Sequence, residues 1–256
     1  MTKQELRNWL NAQAEPDYQK FSSSLIPGCE PMLGIRIPVL RKKAKEIAKG
    51  DWRGFLEEYG ITATKAEGQE RETANLDGAE YFEEKQLQAM VLGYRKAKTE
   101  EEARELIRFC AVFVPRIGNW SVNDTFCTGL VLSRAYPDLV WDFLMGYRTS
   151  TQEFEQRVVA VTLMSHYLKD GYIDQVLDVL KTLQHDGYYQ RMGVAWALAT
   201  AYAKYPKQTM ALLQEGTLSE WVYQKAIQKM LESYRVPAED KKVLRAMKQR
   251  ARQGSI

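Results

Sequence analysis

Apolar residues recur at helical spacing along most of the chain, in segments that short polar stretches separate. Two segments begin with the spacing of a capping box, Thr2 with Glu5 and Thr99 with Glu102. Four prolines fall at the breaks between segments or in a first helical turn: Pro115, Pro137, Pro206 and Pro237. Strand-like alternation bounded by turn residues does not occur in the sequence. The pattern therefore predicts an all-α fold.

Three successive segments repeat with a period of 34 residues, measured from Gln156 to Gln190 and from Gln190 to Gln224. Each begins with this glutamine and a basic residue, continues with an apolar run that ends near a tyrosine, and is followed by a shorter second helix. Two helices per unit and a period in the thirties are typical of an α-solenoid. Tetratricopeptide repeats share the period but not the positions of Trp, Gly and Pro. We therefore expect HEAT-like antiparallel helix pairs, stacked into a curve with a concave groove.

We expect one such domain over residues 1–256. The stretch 61–79 is polar and poor in large apolar residues, which predicts a loop insertion, and 237–256 predicts a basic C-terminal helix and tail. From Lys225 to the end, nine Lys or Arg residues stand against three acidic ones, a net charge of +6, which leaves about −3 for the rest of the chain. This asymmetry suggests contact with something negative, although a solvated helix rich in Lys has the same composition.

The composition excludes several classes of protein. Three widely spaced cysteines, Cys29, Cys110 and Cys127, are expected to be reduced thiols, and the two histidines, which lie far from them, give no metal-ligand spacing. The N-terminal segment lacks the apolar core of a signal peptide, and no apolar run reaches the roughly 18 residues of a membrane span. We expect a soluble cytoplasmic monomer that needs no metal and no cofactor.

The segment NWSVNDTFC, residues 119–127, places Trp120 four positions before Asp124. Four residues turn a helix by about 400°, so the two side chains lie one above the other on a single stripe. A buried face would place an aliphatic residue beside that tryptophan, and a solvent face would rarely carry it. The stripe is therefore a candidate site. The alternative is a snorkelling tryptophan beside a solvated acid.

Equivalent positions of successive repeats line the same wall of a solenoid. Arg157, Arg191 and Lys225 are equivalent by the 34-residue offset, and together with Lys229 they are candidates for binding a phosphate backbone. The alternative is that their stems pack between helices while their charged heads reach water. Trp196 stands five residues after Arg191, where the neighbouring repeats have no tryptophan, and this departure from the repeat marks it as a further candidate.

Five stretches of the chain share a resemblance: PMLGIRIPVLR, NWSVNDTFC, EFEQRVVAV, RMGVAWALATAYAKYP and KAIQKMLESYR. Through them the sequence resembles, over almost its whole length, the AlkD-type DNA alkylation repair glycosylases, which are HEAT-like repeat proteins. The resemblance implies that Trp120, Asp124, Arg157 and Trp196 surround a damaged nucleotide. The segment SSLIPGCEP departs from the best-studied members of the family, which place an aromatic residue before the LGI motif.

The resemblance also implies an activity. It predicts hydrolysis of the N-glycosidic bond of positively charged alkylated purines, 3-methyladenine and 7-methylguanine, without deep base flipping. Asp124, Trp120 and Trp196 are then the predicted catalytic residues. The expected partner is double-stranded DNA that carries alkylated bases, and the protein would associate with the nucleoid when it acts.

Two other functions remain open on the sequence. A non-catalytic solenoid that binds distorted duplex DNA would share the cations and the groove, since the resemblance extends to relatives that excise no base. A protein-interaction scaffold is the commonest use of α-solenoids. An acidic peptide would use the cations but would gain nothing from Asp124.

Overall fold

The computed structural model describes residues 1–63 and 78–252. These residues form fifteen α-helices and one 3₁₀ turn and contain no strand, which confirms the all-α prediction. The chain divides into two compact units, Met1–Phe143 and Leu144–Ile256, with the boundary inside the ninth helix. The single domain over 1–256 stays a prediction. Most of the predicted 61–79 loop lies outside the described residues.

Nine helices begin in the first unit. They are α1 (Lys3–Ala12), α2 (Pro16–Leu25), α3 (Ile37–Lys49), α4 (Trp52–Glu57), α5 (Phe82–Tyr94), α6 (Glu100–Phe113), α7 (Trp120–Gly129), α8 (Leu132–Ala135) and α9 (Pro137–Met145), with the 3₁₀ turn Val114–Arg116 between α6 and α7. Helices α3, α5 and α7 pack side by side in that order, α4 packs against α3, and α6 packs against α5. Because α5 has neighbours on both sides, most of its residues are buried.

Helix starts in this unit follow the capping signals of the sequence. Thr2 and Glu5 form a complete capping box, in which the Thr2 hydroxyl accepts from the Glu5 N–H at 3.2 Å and the Glu5 carboxylate accepts from the Thr2 N–H at 2.8 Å. Thr99 caps α6 through the N–H of Glu102 at 3.2 Å, but the Glu102 carboxylate accepts from the N–H of Lys98 at 2.8 Å. In the second case the Glu102 carboxylate thus binds the residue before the cap and not the cap itself. Both predicted helix starts are confirmed.

A buried carboxylate fixes the loop that connects α2 to α3. Glu83 on α5 is 1% exposed and accepts hydrogen bonds from the N–H groups of Leu33, Gly34 and Ile35, with that of Gly34 at 2.8 Å. Gly34 has φ +83°, and a Cβ there would lie 2.5 Å from the backbone nitrogen of Gln19. The LGI motif thus needs glycine at its centre, since a side chain would clash with α2. The clamped loop is joined to the start of α2, because the Gly34 carbonyl accepts from the Glu15 N–H at 3.3 Å.

The second unit continues with six helices. They are α10 (Glu153–His166), α11 (Ile173–Thr182), α12 (Tyr188–Lys204), α13 (Pro206–Gln214), α14 (Glu220–Glu232) and α15 (Ala238–Arg252). Helices α10, α12 and α14 pack side by side, α11 and α13 pack against α12 and each other, and α15 packs against α14. The Gln190 amide donates to the buried Gln156 amide oxygen at 3.2 Å. The 34-residue period is thus visible as a bond between equivalent residues of neighbouring repeats.

The described residues also include the three cysteines and the helices that could be tested for membrane-spanning length. None of Cys29, Cys110 and Cys127 forms a disulfide, and complete burial raises the pKa of the Cys110 thiol. In the part of the chain that the structure describes, no helix combines the length and the apolar character that a membrane crossing requires.

Candidate functional site

Helix α7 carries the first pair of predicted site residues. The side chain of Asn119 accepts from the Val122 N–H at 3.0 Å and so starts the helix immediately before Trp120. Val122 and Asn123 belong to the buried face, whereas Trp120 and Asp124 lie half-buried, one turn apart. The helix therefore presents a ring and a carboxyl group together at its partly exposed side.

The Trp120 ring has a fixed orientation. Its indole Nε1–H donates to the backbone carbonyl of Leu25 at 3.3 Å, which satisfies one of the free carbonyls at the end of α2. The Leu25 side chain is 52% exposed, and Phe21, one turn earlier, is 60% exposed. The segment SSLIPGCEP thus contacts Trp120 through its backbone, with the Leu25 side chain exposed and the Ile26 side chain buried.

A buried polar contact joins α7 to its neighbour in the row. The amide of Gln86, buried on α5, donates to the Ser121 hydroxyl at 2.8 Å. Thr128, one turn beyond Asp124, donates its hydroxyl to the Asp124 backbone carbonyl at 2.6 Å. These bonds hold the stripe of Trp120 and Asp124 on a helix that is anchored to α5 and α2.

In the second unit, Arg157 lies inside the protein. It is 5% exposed, and its guanidinium donates to the backbone carbonyl of Tyr189 on α12. A Cβ on Gly193 would lie 3.3 Å from the Arg157 side chain, so this glycine makes room for the guanidinium. The position favours a role in holding the start of α12, and the phosphate contact of Arg157 stays a prediction.

Arg191 and Lys225 meet at a tryptophan that the sequence analysis did not select. The Arg191 guanidinium lies 4.8 Å and the Lys225 ammonium 5.6 Å from the centre of the Trp221 ring on α14. Arg191 Nε is buried and has no hydrogen-bond partner in the described part of the chain. The two equivalent cations are therefore brought together, and their common contact is an aromatic ring.

A row of aromatic rings crosses the starts of α10, α12 and α14. Phe154 stacks on Tyr189 with centroids 5.6 Å apart, Tyr188 meets Tyr189 edge-on at 5.3 Å, and Tyr188 meets Trp221 at 6.0 Å. Tyr188 is 53% exposed. The sequence carries a signal for this row, because Phe154 and Tyr188 are 34 residues apart and so occupy equivalent positions of the repeat.

Trp196 stands at an open depression of about 530 Å³ within the second unit. Trp196 is 37% exposed, and Lys229, Arg235 and the acidic Glu232 line the same depression. Trp196 and Lys229 are thus brought together as candidates. Arg235 was missed because it lies in the turn after α14 and has no equivalent in the repeat pattern.

The candidates fall into three groups. Trp120 and Asp124 form one group in the first unit. The second unit holds the other two groups, Arg191 and Lys225 beside Trp221 and the depression beside Trp196. Among the described residues, no three His, Cys, Asp or Glu side chains are grouped so as to hold a metal ion.

Comparison with known proteins gives a family. The protein family described as DNA alkylation repair enzyme matches residues 2–230. A search of curated proteins gives no match. The match covers nearly the whole chain and all of the candidate residues except Arg235. The chain therefore belongs to the DNA alkylation repair enzyme family.

Proposed function

We propose that this protein is a DNA glycosylase that releases positively charged alkylated purines, 3-methyladenine and 7-methylguanine, from duplex DNA. The observation that carries the proposal is the stripe on α7, where the half-buried Asp124 lies one turn from Trp120 and the Trp120 indole is held by Leu25. A member of this family whose site held only cations would bind DNA. A ring of fixed orientation beside a carboxyl group would, in addition, contact the reacting nucleotide.

The chemistry suits a single carboxylate. A purine alkylated at N3 or N7 carries a positive charge and leaves as a neutral base when its bond to C1′ breaks, so no general acid is required. The sugar becomes cationic, and water then adds to C1′ and loses a proton. We assign to Asp124 the electrostatic stabilisation of that cation, as carboxylates do in glycoside hydrolases, and the orientation of the water whose proton it accepts.

Two tryptophans would favour a charged base over a neutral one. The negative face of an indole ring attracts a cation with about 0.5–2 kcal/mol, and a neutral base gains none of this energy. We assign this contact to Trp120 and to Trp196, each of which exposes part of its ring. Selectivity then arises from the charge of the lesion, because the site does little to accelerate the departure of a poor leaving group.

The cations of the second unit would hold the DNA backbone. Lys229 and Arg235 lie beside Trp196, and Arg191 and Lys225 surround Trp221. We propose that these four side chains contact phosphates, with Tyr188 against the sugar edges. Arg157 would support them by fixing the Tyr189 carbonyl at the start of α12.

We also propose that the two rows of helices are HEAT-like stacks and that the protein acts as a monomer on base-paired DNA without deep base flipping. The side-by-side order of α3, α5 and α7 and of α10, α12 and α14 supports the stacking. The depression beside Trp196 is open, which suits contact with a nucleotide that stays in the duplex better than capture of an extruded base.

The test is a comparison of lesions in one duplex sequence. The purified protein should release free 3-methyladenine and 7-methylguanine and should leave uracil, a neutral lesion, in place. Release of uracil at a similar rate would contradict selection by charge. Tight duplex binding without release of any base would replace the proposal with a non-catalytic DNA-binding protein.

A further inference from the structure

One face of α3 carries four cations. Arg41, Lys42, Lys45 and Lys49 are all exposed, and at 100° per residue they fall within an arc of about 100° on the helix. The opposite face is apolar and buried, with Leu40, Ala44, Ile47 and Ala48 in the core. We refer to the four exposed cations as the α3 stripe.

Among the described residues, the α3 stripe has no acidic counterpart. Glu46, the only acidic residue of α3, pairs with Lys43 at 3.4 Å, and the Lys43 ammonium also lies 5.2 Å from the centre of the Trp9 ring. No carboxylate among the residues that the structure describes lies within ion-pair distance of the stripe. Lys43, the fifth cation of the helix, is therefore engaged with Glu46 and Trp9, whereas the other four form no ion pair with any residue in 1–63 or 78–252.

This arrangement disfavours the isolated helix. Arg41, Lys45 and Lys49 follow one another at intervals of four residues, and like charges at that spacing destabilise a helix by about 0.2–0.5 kcal/mol per pair. An acidic residue at position 45 would have relieved both repulsions. A negatively charged partner would relieve them in its place.

The dimensions of the stripe match a phosphate backbone. At 1.5 Å rise per residue, the interval of four residues is about 6 Å, and the stripe is roughly 12 Å long. A duplex presents one phosphate per 3.4 Å of each strand, so the same length holds about three or four phosphates of a strand.

We propose that the α3 stripe is a second binding surface for duplex DNA, separate from the stripe of Trp120 and Asp124. Helix α5 lies between α3 and α7 in the row, so α3 would contact the backbone away from the reacting nucleotide. The inference rests on the proposed function, because the charge of the stripe fits a polyanion and DNA is the polyanion on which the site on α7 would act. Its contribution is affinity without sequence or lesion preference.

The experiment compares two triple variants that lose the same charge. The first is Lys42→Gln/Lys45→Gln/Lys49→Gln in the α3 stripe. The control is Arg104→Gln/Lys181→Gln/Lys207→Gln, on α6, α11 and α13, where Arg104 and Lys181 have carboxylate partners. The readout is the dissociation constant for an undamaged duplex between 50 and 200 mM salt.

The stripe variant should lower the salt slope, the dependence of log K on log salt, by about 2–3, because each phosphate contact contributes about 0.9. The control should keep the wild-type slope. The melting temperature of the stripe variant should equal or exceed that of the wild type, because the repulsion is reduced, and this excludes misfolding as the cause. Equal slopes for the two variants would overturn the α3 surface.

The outcome is separable from that of the proposed function. If the wild type releases alkylated purines and the stripe variant keeps its salt slope, only the α3 surface is wrong. If the stripe variant keeps its DNA affinity but loses binding to vesicles of anionic phospholipid, the partner is a membrane surface and the proposal is overturned. If the wild type binds no duplex, both proposals fail.

Discussion

The Trp120 indole donates its N–H to the backbone carbonyl of Leu25 at 3.3 Å and so connects the start of α7 to the end of α2. These residues are 95 positions apart in the sequence. The bond does two things at once, since it satisfies a helix-terminal carbonyl and it removes the freedom of a ring that would contact the substrate. The position of α2 depends in turn on the loop that Glu83 clamps.

The orientation of this ring should affect the rate of base release. Trp120→Phe keeps an aromatic face but loses the bond to Leu25, whose net worth is about 1 kcal/mol. We expect single-turnover release of 7-methylguanine to slow by about 5-fold to 10-fold, with duplex affinity little changed. Leu25→Ala is the matched control, because it removes an exposed side chain and leaves the carbonyl in place. A slower Leu25→Ala variant with an unaffected Trp120→Phe variant would contradict the role of the bond.

The depression beside Trp196 should separate binding of the lesion from binding of the backbone. Trp196→Ala should reduce release of the cationic base by about 10-fold, from the loss of a cation–π contact. Arg235→Gln should weaken binding of damaged and undamaged duplex alike and lower the salt slope by about 1. Lys207→Gln, an exposed cation on α13, serves as the control. An Arg235→Gln variant with the wild-type slope would show that Arg235 contacts no phosphate.

Substitutions of Arg157 and of Arg191 should have different effects on stability and on DNA binding, although the repeat makes the two positions equivalent. Arg157→Ala removes a buried charged donor to the Tyr189 carbonyl and should cost about 2–4 kcal/mol of unfolding free energy. Arg191→Ala should cost less than about 1 kcal/mol, since Arg191 is only half-buried against Trp221, and should lower the salt slope instead. Chemical denaturation and titrations at several salt concentrations give both quantities. Equal loss of stability in the two variants would contradict the distinction.

Glu84 makes the stability of the first unit depend on pH. Burial alone would raise the pKa of this carboxyl group, but hydrogen bonds from Arg7, the Tyr81 backbone and Tyr59 outweigh it and hold the pKa below its ordinary value of 4.5. A lowered pKa contributes stability above pH 4.5 that is lost as the pH falls through the folded-state pKa. Glu84→Gln should therefore cost about 3 kcal/mol at pH 7, and the difference from the wild type should shrink below pH 4.5.

Urea unfolding at pH 7 and at several values below pH 4.5 measures this effect. Glu100→Gln is the control, because Glu100 forms only an exposed pair with Arg104 and should change stability by less than about 1 kcal/mol. A Glu84→Gln difference that stays constant over the whole range would contradict the lowered pKa.

The helices and their order could be predicted because local chemistry determines them. Thr2 and Thr99 cap helices as their spacing requires, and the period of 34 residues becomes the bond between Gln156 and Gln190. The four-residue spacing of Trp120 and Asp124 sufficed to place both on one side of α7.

What the sequence did not provide depends on contacts between helices. The burial of Arg157 follows from the absence of a side chain at Gly193 and the nearness of the Tyr189 carbonyl, and neither is visible in a repeat that aligns Arg157 with Arg191. Trp221 gained its role from Arg191 on the neighbouring helix α12 and from Lys225 one turn later on α14. The α3 stripe did not follow from net charge, because the net charge of a segment does not show on which face of a helix its cations lie.

The central claim is that Asp124 stabilises the reacting sugar, and single-turnover release of 7-methylguanine from duplex DNA tests it most directly. The wild type, Asp124→Asn and Asp142→Asn should be compared at saturating protein, where Asp142, exposed on α9, is the control. We predict that Asp124→Asn slows release by about 10²–10³-fold while it binds the duplex as tightly as the other two. Release by Asp124→Asn at the wild-type rate would contradict the account.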